Sequence, residues 1–232
     1  MKLSPIKITA VVLFTLSFFA ASAFAGPPLI CHTYDIGNAK SLPWIGHNWN
    51  LTGNESYDTN NLAPDTLLIL DTDPTVLVHM ETLRRAALYG QKNPQSLKQL
   101  VVKMISRTDA PGKNATAASL ASFDLGYFTA TLAQLHWIYK DFANPAQSLD
   151  AKSLVNKGIE LRGNDPQMEF AAALITLDGP ANEHNAHAQK ALVGAKSDTL
   201  LARNLSTHFM SPESETMTQM ITRNASVKVA EQ

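Results

Sequence analysis

Residues Ala115 to Phe142, ATAASLASFDLGYFTATLAQLHWIYKDF, constrain this chain more than any other stretch. Leu120, Phe123, Tyr127, Leu135, Ile138 and Phe142 fall at helical spacings along one side. Leu125, Phe128, Leu132 and Tyr139 cover a second side. A helix that is apolar on most of its circumference must be surrounded by other elements. Asp124, Gln134, His136 and Lys140 interrupt it, so it does not read as a membrane span. The expectation is one long helix at the centre of an all-α domain.

The start of the chain bears on compartment. Lys2 and Lys7 precede an apolar run, Ile8 to Ala20, and Ala23-Phe24-Ala25 forms a small-x-small cleavage pattern. Residues 1–25 therefore read as a bacterial-type secretory signal cleaved after Ala25, which places the protein in the periplasm or outside the cell. Cleavage leaves 207 residues, enough for one domain with its own core. It also removes two of the 19 Lys and Arg against 20 Asp and Glu, leaving a net charge of −3. Without a basic excess no nucleic-acid partner is expected, and no membrane insertion is expected after cleavage. The single cysteine, Cys31, excludes an internal disulfide, so the fold must rest on packing.

Residues 26–64 show no helical period but carry Leu29, Ile30, Tyr34, Ile36, Leu42, Trp44, Ile45 and Trp49. That is too much apolar surface to leave in water. They read as a non-helical strap on the helical body up to Trp49, followed by a polar loop. Residues 65–223 read as a single helical domain and 224–232 as a frayed tail. Within the domain, Asp73-Pro74 reads as a helix cap with Pro at the first position, and this helix runs to about Gly90. Further helices are expected after Asn93-Pro94, over Ala115–Phe142 and near Ser148–Arg162. Others are expected after Asp165-Pro166, over Ala181–Ala195 and Asp198–Phe209, and a last short one from Ser211. The sum is a helix–turn–helix array, α-solenoid-like, of about seven or eight helices.

Gly158-Ile-Glu-Leu-Arg-Gly-Asn-Asp165 resembles the end of a tetratricopeptide helix and its turn, with Gly163 at the usual proline position. Leu125-Gly126 is similar to the Leu-Gly pair of that family's first helix. The chain as a whole resembles exported bacterial proteins with such helical repeats. The resemblance implies a scaffold whose concave face takes a protein or a peptide. A different resemblance lies at Asp71-Thr-Asp73-Pro-Thr75-Val76, behind the apolar run Leu67 to Leu70. It is similar to the first motif of haloacid-dehalogenase-type phosphatases. It would imply Asp71 as nucleophile, Asp73 as the leaving-group acid, a shared Mg²⁺ and a parallel sheet.

Candidate metal ligands are few. Cys31, His32 and His47 in the strap bring thiolate and imidazole chemistry, which suits a metal or a redox role. His184 and His187 sit three apart, so on a helix both imidazoles share a face. No Gly-rich phosphate loop, Gly-x-Ser-x-Gly elbow or His-Glu-x-x-His motif occurs. The leading expectation is an exported helical binding protein without a catalytic residue. A metal- or redox-linked protein using Cys31 and His32 is the alternative, and a phosphohydrolase using Asp71 and Asp73 stands behind it.

Overall fold

The computed structural model describes residues 27–45, 51–109 and 114–209. The signal segment, His47, Trp49, the helix from Ser211 and the tail lie outside them. Among the described residues every regular element is helical. They are α1 (Pro28–Cys31), a 3-10 turn (Thr59–Asn61), α2 (Leu62–Thr72), α3 (Val76–Lys92), α4 (Pro94–Asp109) and α5 (Ala115–Ile138). There follow α6 (Ala151–Arg162), α7 (Pro166–Ile175), α8 (Ala181–Gly194) and α9 (Thr199–Phe209).

Helix α5 is the centre. All its residues from Ser119 to Leu132 are buried, so no side of those turns faces water. Asn114 starts it, its side chain accepting from Ala117 N. It stops at Ile138, four residues before the expected Phe142. Tyr139 leaves helical angles at φ −115° and ψ 95°, yet Tyr139 and Phe142 still pack against the core from the turn. Helix α6 lies closest to it, and two glycines permit the approach. A Cβ on Gly126 would stand 2.7 Å from Val155 N, and one on Gly158 would stand 2.9 Å from Phe123 N. The hydroxyl of Ser119 donates to the Gly158 carbonyl at 2.7 Å across the same contact.

Caps and turns follow the sequence in most places. Asp150 and Asp165 cap α6 and α7, and Gly163 takes the left-handed conformation (φ 79°) that ends α6. The Asp73-Pro74 assignment needs correction. Helix α3 starts at Val76, and Asp73 is the C-terminal cap residue of α2, its side chain accepting from Thr75 N at 2.8 Å. Helix α2 begins at Leu62, inside the stretch 26–64 expected to be non-helical. Pro64 falls in the first turn of α2, where its missing N–H leaves no bond unmade. The run Leu67 to Leu70 lies within this helix, not in a strand, with Leu62, Ala63, Thr66 and Leu70 buried.

The strap lies against the helical body as expected, with one difference: Pro28–Cys31 form a single helical turn. Leu29 and Ile30 are fully buried, and Tyr34 and Leu42 nearly so. The strap is therefore a layer of the core. No described helix is long and apolar enough to cross a membrane.

Candidate functional site

A buried segment without regular structure leaves its N–H and C=O groups without partners of their own, and each has to find one. Here the helices supply them from side chains. Leu29 N donates to Gln134 Oε1 of α5 at 2.8 Å, and Arg84 Nη1 of α3 donates to the Ile30 carbonyl at 3.2 Å. Tyr34 N donates to Glu81 Oε2 at 3.0 Å. Asn204 of α9 takes Asp35 from both sides. Its Oδ1 accepts from Asp35 N at 2.9 Å, and its Nδ2 donates to the Asp35 carbonyl at 2.8 Å. Arg85 Nη1 reaches the Leu42 carbonyl at 2.6 Å, and the Tyr89 hydroxyl reaches the Pro43 carbonyl. The strap is thus held by a clamp of polar side chains from three helices.

The clamp is anchored by charges taken wholly out of water. Glu81 and Arg84 are both fully buried. Arg84 grips the carboxylate with Nε at 2.8 Å and Nη2 at 2.9 Å, and Arg85 Nε adds a third contact at 2.7 Å. Burial pushes the Glu81 carboxyl up, but the hydrogen bonds and charges of Arg84 and Arg85 outweigh it. The group is held below the ordinary carboxylate value. Trp44 of the strap closes the outer side, with the Arg84 guanidinium 4.8 Å from its ring centroid.

Beside this clamp an aromatic cluster joins the strap to α5, α7 and α9. The Tyr34 ring stacks on His208 (4.8 Å between centroids, 6° between planes) and stands edge-on to Phe170. The Tyr127 hydroxyl donates to that of Tyr34 at 2.7 Å. His208 Nδ1 lies 2.8 Å from the Asn204 carbonyl and donates to it, while its Nε2 is buried without a hydrogen-bond partner among the described residues.

The residues singled out from sequence fall in several places. Cys31 is buried at the end of α1, and burial raises its thiol above the ordinary value, against a lesser opposing pull from Arg84. His32 is partly exposed, its ring 5.1 Å from that of His208. Burial and then Arg84 lower its affinity for a proton. His47 is outside the described residues. His184 and His187 do share a face of α8, but this face is turned to α7. His184 Nδ1 lies 2.9 Å from the Ala173 carbonyl, and His187 Nδ1 lies 2.6 Å from the fully buried Glu169, which also receives Lys190 Nζ. Among the described residues no group of three or more His, Cys, Asp and Glu side chains stands where it could hold a metal ion.

Asp71 and Asp73 flank a second buried pair. His79 of α3 has Nδ1 at 2.6 Å from Asp124 Oδ1 and Nε2 at 2.6 Å from the Asp73 carbonyl. Burial works against the charged ring, but the charge and hydrogen bond of Asp124 prevail and raise its proton affinity above the ordinary value. An acceptor stands at each ring nitrogen, an arrangement that favours the doubly protonated ring. Arg107 completes the set, reaching Asp124 Oδ2 at 3.0 Å and Asp71 Oδ1 at 2.9 Å. Asp71 thus serves here as an exposed partner of Arg107, and Asp73 as a capping and carbonyl group.

Sequence reasoning passed over Glu81, Gln134, Asn204 and His208. One signal was available: Glu81 and Arg84 are three apart on the face of α3 that also carries Met80 and Leu83, a spacing that lets the two charges meet inside.

Fold and site together define an all-α protein whose helices hold its own N-terminal strap with polar side chains. No family model, no curated protein and no solved structure matches the sequence.

Proposed function

We propose that this is an exported helical binding protein whose clamp, built by α3, α5 and α9, holds an extended peptide segment, with the chain's own strap filling it in the structure. The observation that carries this reading is the two-sided pairing of Asn204 with the N–H and C=O of Asp35. A side-chain amide that meets both backbone groups of one residue binds main chain whatever the side chain. Glu81, Gln134 and Arg84 extend the same mode along the strap. The Phe170 and Tyr127 rings, both edge-on to Tyr34, supply the apolar surface that such recognition needs.

A labelled peptide of residues 27–45, added to the full-length chain, tests it by fluorescence anisotropy. The tethered strap competes at an effective concentration in the millimolar range, so the titration has to reach about 1 mM. Saturable binding that weakens tenfold or more in Asn204→Ala is expected. No binding over that range, or equal binding by the variant, overturns the reading.

A further inference from the structure

We propose that the junction between the strap and α9 is a proton-released clasp, closed only while His208 is neutral. Two atoms of one ring carry the inference. His208 Nδ1 spends its hydrogen on the Asn204 carbonyl at 2.8 Å, so the neutral ring has its lone pair on Nε2. That Nε2 is buried and, among the described residues, has no hydrogen-bond partner. Protonation would place a second N–H there with nothing to accept it, and a charge with nothing to balance it. A buried charge without a partner is among the most costly arrangements in a protein. The closed clasp and a protonated His208 therefore exclude one another.

The neighbours make the exclusion stronger. The strap brings His32 and Tyr34 to the ring, α3 brings the charges of Glu81 and Arg84, and α7 brings the edge of Phe170, while Tyr127 of α5 bonds the Tyr34 hydroxyl. On α9 itself, the Asn204 carbonyl and the Thr207 hydroxyl, which also donates to that carbonyl, both lie at Nδ1 and not at Nε2. His184 of α8 meets Phe209, the next residue along. Glu81 is the nearby carboxylate, but both its oxygens are already taken by Arg84, Arg85 and Tyr34 N. Arg84 and His32 repel a positive ring. Burial first, with His32 and Arg84 acting in the same sense against the Asn204 bond and the Glu81 charge, lowers the His208 proton affinity to about 4.

Little else fastens α9 to the strap. The Arg203–Asp35 ion pair at 2.7 Å is open to water on both sides, where such pairs contribute little. Release of His208 from Tyr34 leaves the Asn204–Asp35 pairing as the remaining buried tie. Opening frees strap residues 32–37 and α9 and breaks the Tyr127–Tyr34 hydrogen bond, while the backbone bonds of α5 remain within that helix.

Amide hydrogen exchange of the full-length chain at pH 7 and pH 5, corrected for intrinsic rates, reads the clasp directly. A histidine that takes up its proton at 6.5 when open and about 4 when closed shifts the balance toward the open form roughly 20-fold between pH 7 and pH 5. The protection of Asp35 and Leu205 should fall by about that factor in the wild type, that of Tyr127 should not, and His208→Phe should show no fall. Equal protection at both pH values, or the same fall in His208→Phe, overturns the proposal. Titration of the His208 ring by NMR in the wild type is an independent check that needs no variant: uptake of its proton at or above 6.5 also overturns it. The clasp stands on its own geometry, but it would regulate access to the clamp if the peptide reading holds. A junction that opens at pH 5 while the strap peptide fails to bind at either pH sinks the peptide reading and leaves the clasp standing.

Discussion

The side-chain amide of Asn204 pairs with both the N–H and the C=O of Asp35, 169 residues away in sequence, and so ties the last described helix to the first described segment. Asn204 is fully buried. Asn204→Ala removes the bonds on both sides and should lower stability by roughly 1–3 kcal/mol. Asn204→Asp turns a buried charged oxygen toward the Asp35 and Leu200 carbonyls, so at pH 7 it should be no more stable than Asn204→Ala in a urea titration. An alanine variant as stable as the wild type would show that the clasp adds nothing to folding.

Among the described residues, Glu81 is the only carboxylate bonded to the fully buried guanidinium of Arg84. Glu81→Gln leaves that charge buried and unpaired, and a loss of roughly 3–5 kcal/mol is expected. The double change Glu81→Leu with Arg84→Met removes both charges and should cost less than Glu81→Gln alone. The sign with pH follows from the lowered carboxyl. Its stabilisation is present above the unfolded carboxylate value, 4.5, and is lost as pH falls through the folded one. Denaturant midpoints of the three proteins at pH 7 decide the order.

His79 acts in the opposite direction. Its proton affinity is raised in the folded chain by Asp124, so its contribution is complete below 6.5 and disappears as pH rises through the folded value. Thermal unfolding should show a decline on the alkaline side that His79→Gln lacks. His208, lowered to about 4, adds a decline on the acid side that begins below 6.5. A wild-type chain with no alkaline decline would place the proton elsewhere than on His79.

Gly126 and Gly158 offer a test in which two effects have opposite signs. In an exposed helix, Gly to Ala stabilises by about 1 kcal/mol. At Gly126 the new Cβ would stand 2.7 Å from Val155 N and 2.8 Å from the Ala151 carbonyl oxygen, and backbone cannot swing aside. Gly126→Ala and Gly158→Ala should therefore destabilise, by about 1–3 kcal/mol as for other overpacked sites. A melting temperature that rises in either variant would mean that α5 and α6 are not in that contact.

The fold was readable where one stretch of sequence decides it. The buried length of α5 and the turn from Gly163 to the Asp165 cap are local events within a few residues of their cause, whereas α6, expected from near Ser148, starts at Ala151 behind the Asp150 cap. Helix α2 escaped because a proline in a first turn and a proline that breaks a helix look alike in sequence. The site was legible only in fragments. Arg84 and Arg85 could be expected to find acids, and the strap to be buried, but which side chains would meet its backbone could not be read.

Sequence alone determined that the chain is helical, that α5 is enclosed, and that the segment before Leu62 carries too much apolar surface to stay in solvent. Periodicity and composition suffice for these, since burial of apolar area does not depend on which partner does the burying. Tertiary structure alone decided that Glu81, Gln134 and Asn204 converge on the strap, and that, among the described residues, His208 Nε2 is left without a partner against it. Hydrogen bonds act over about 3 Å and require direction. Residues far apart in the chain satisfy that condition only after the helices have packed.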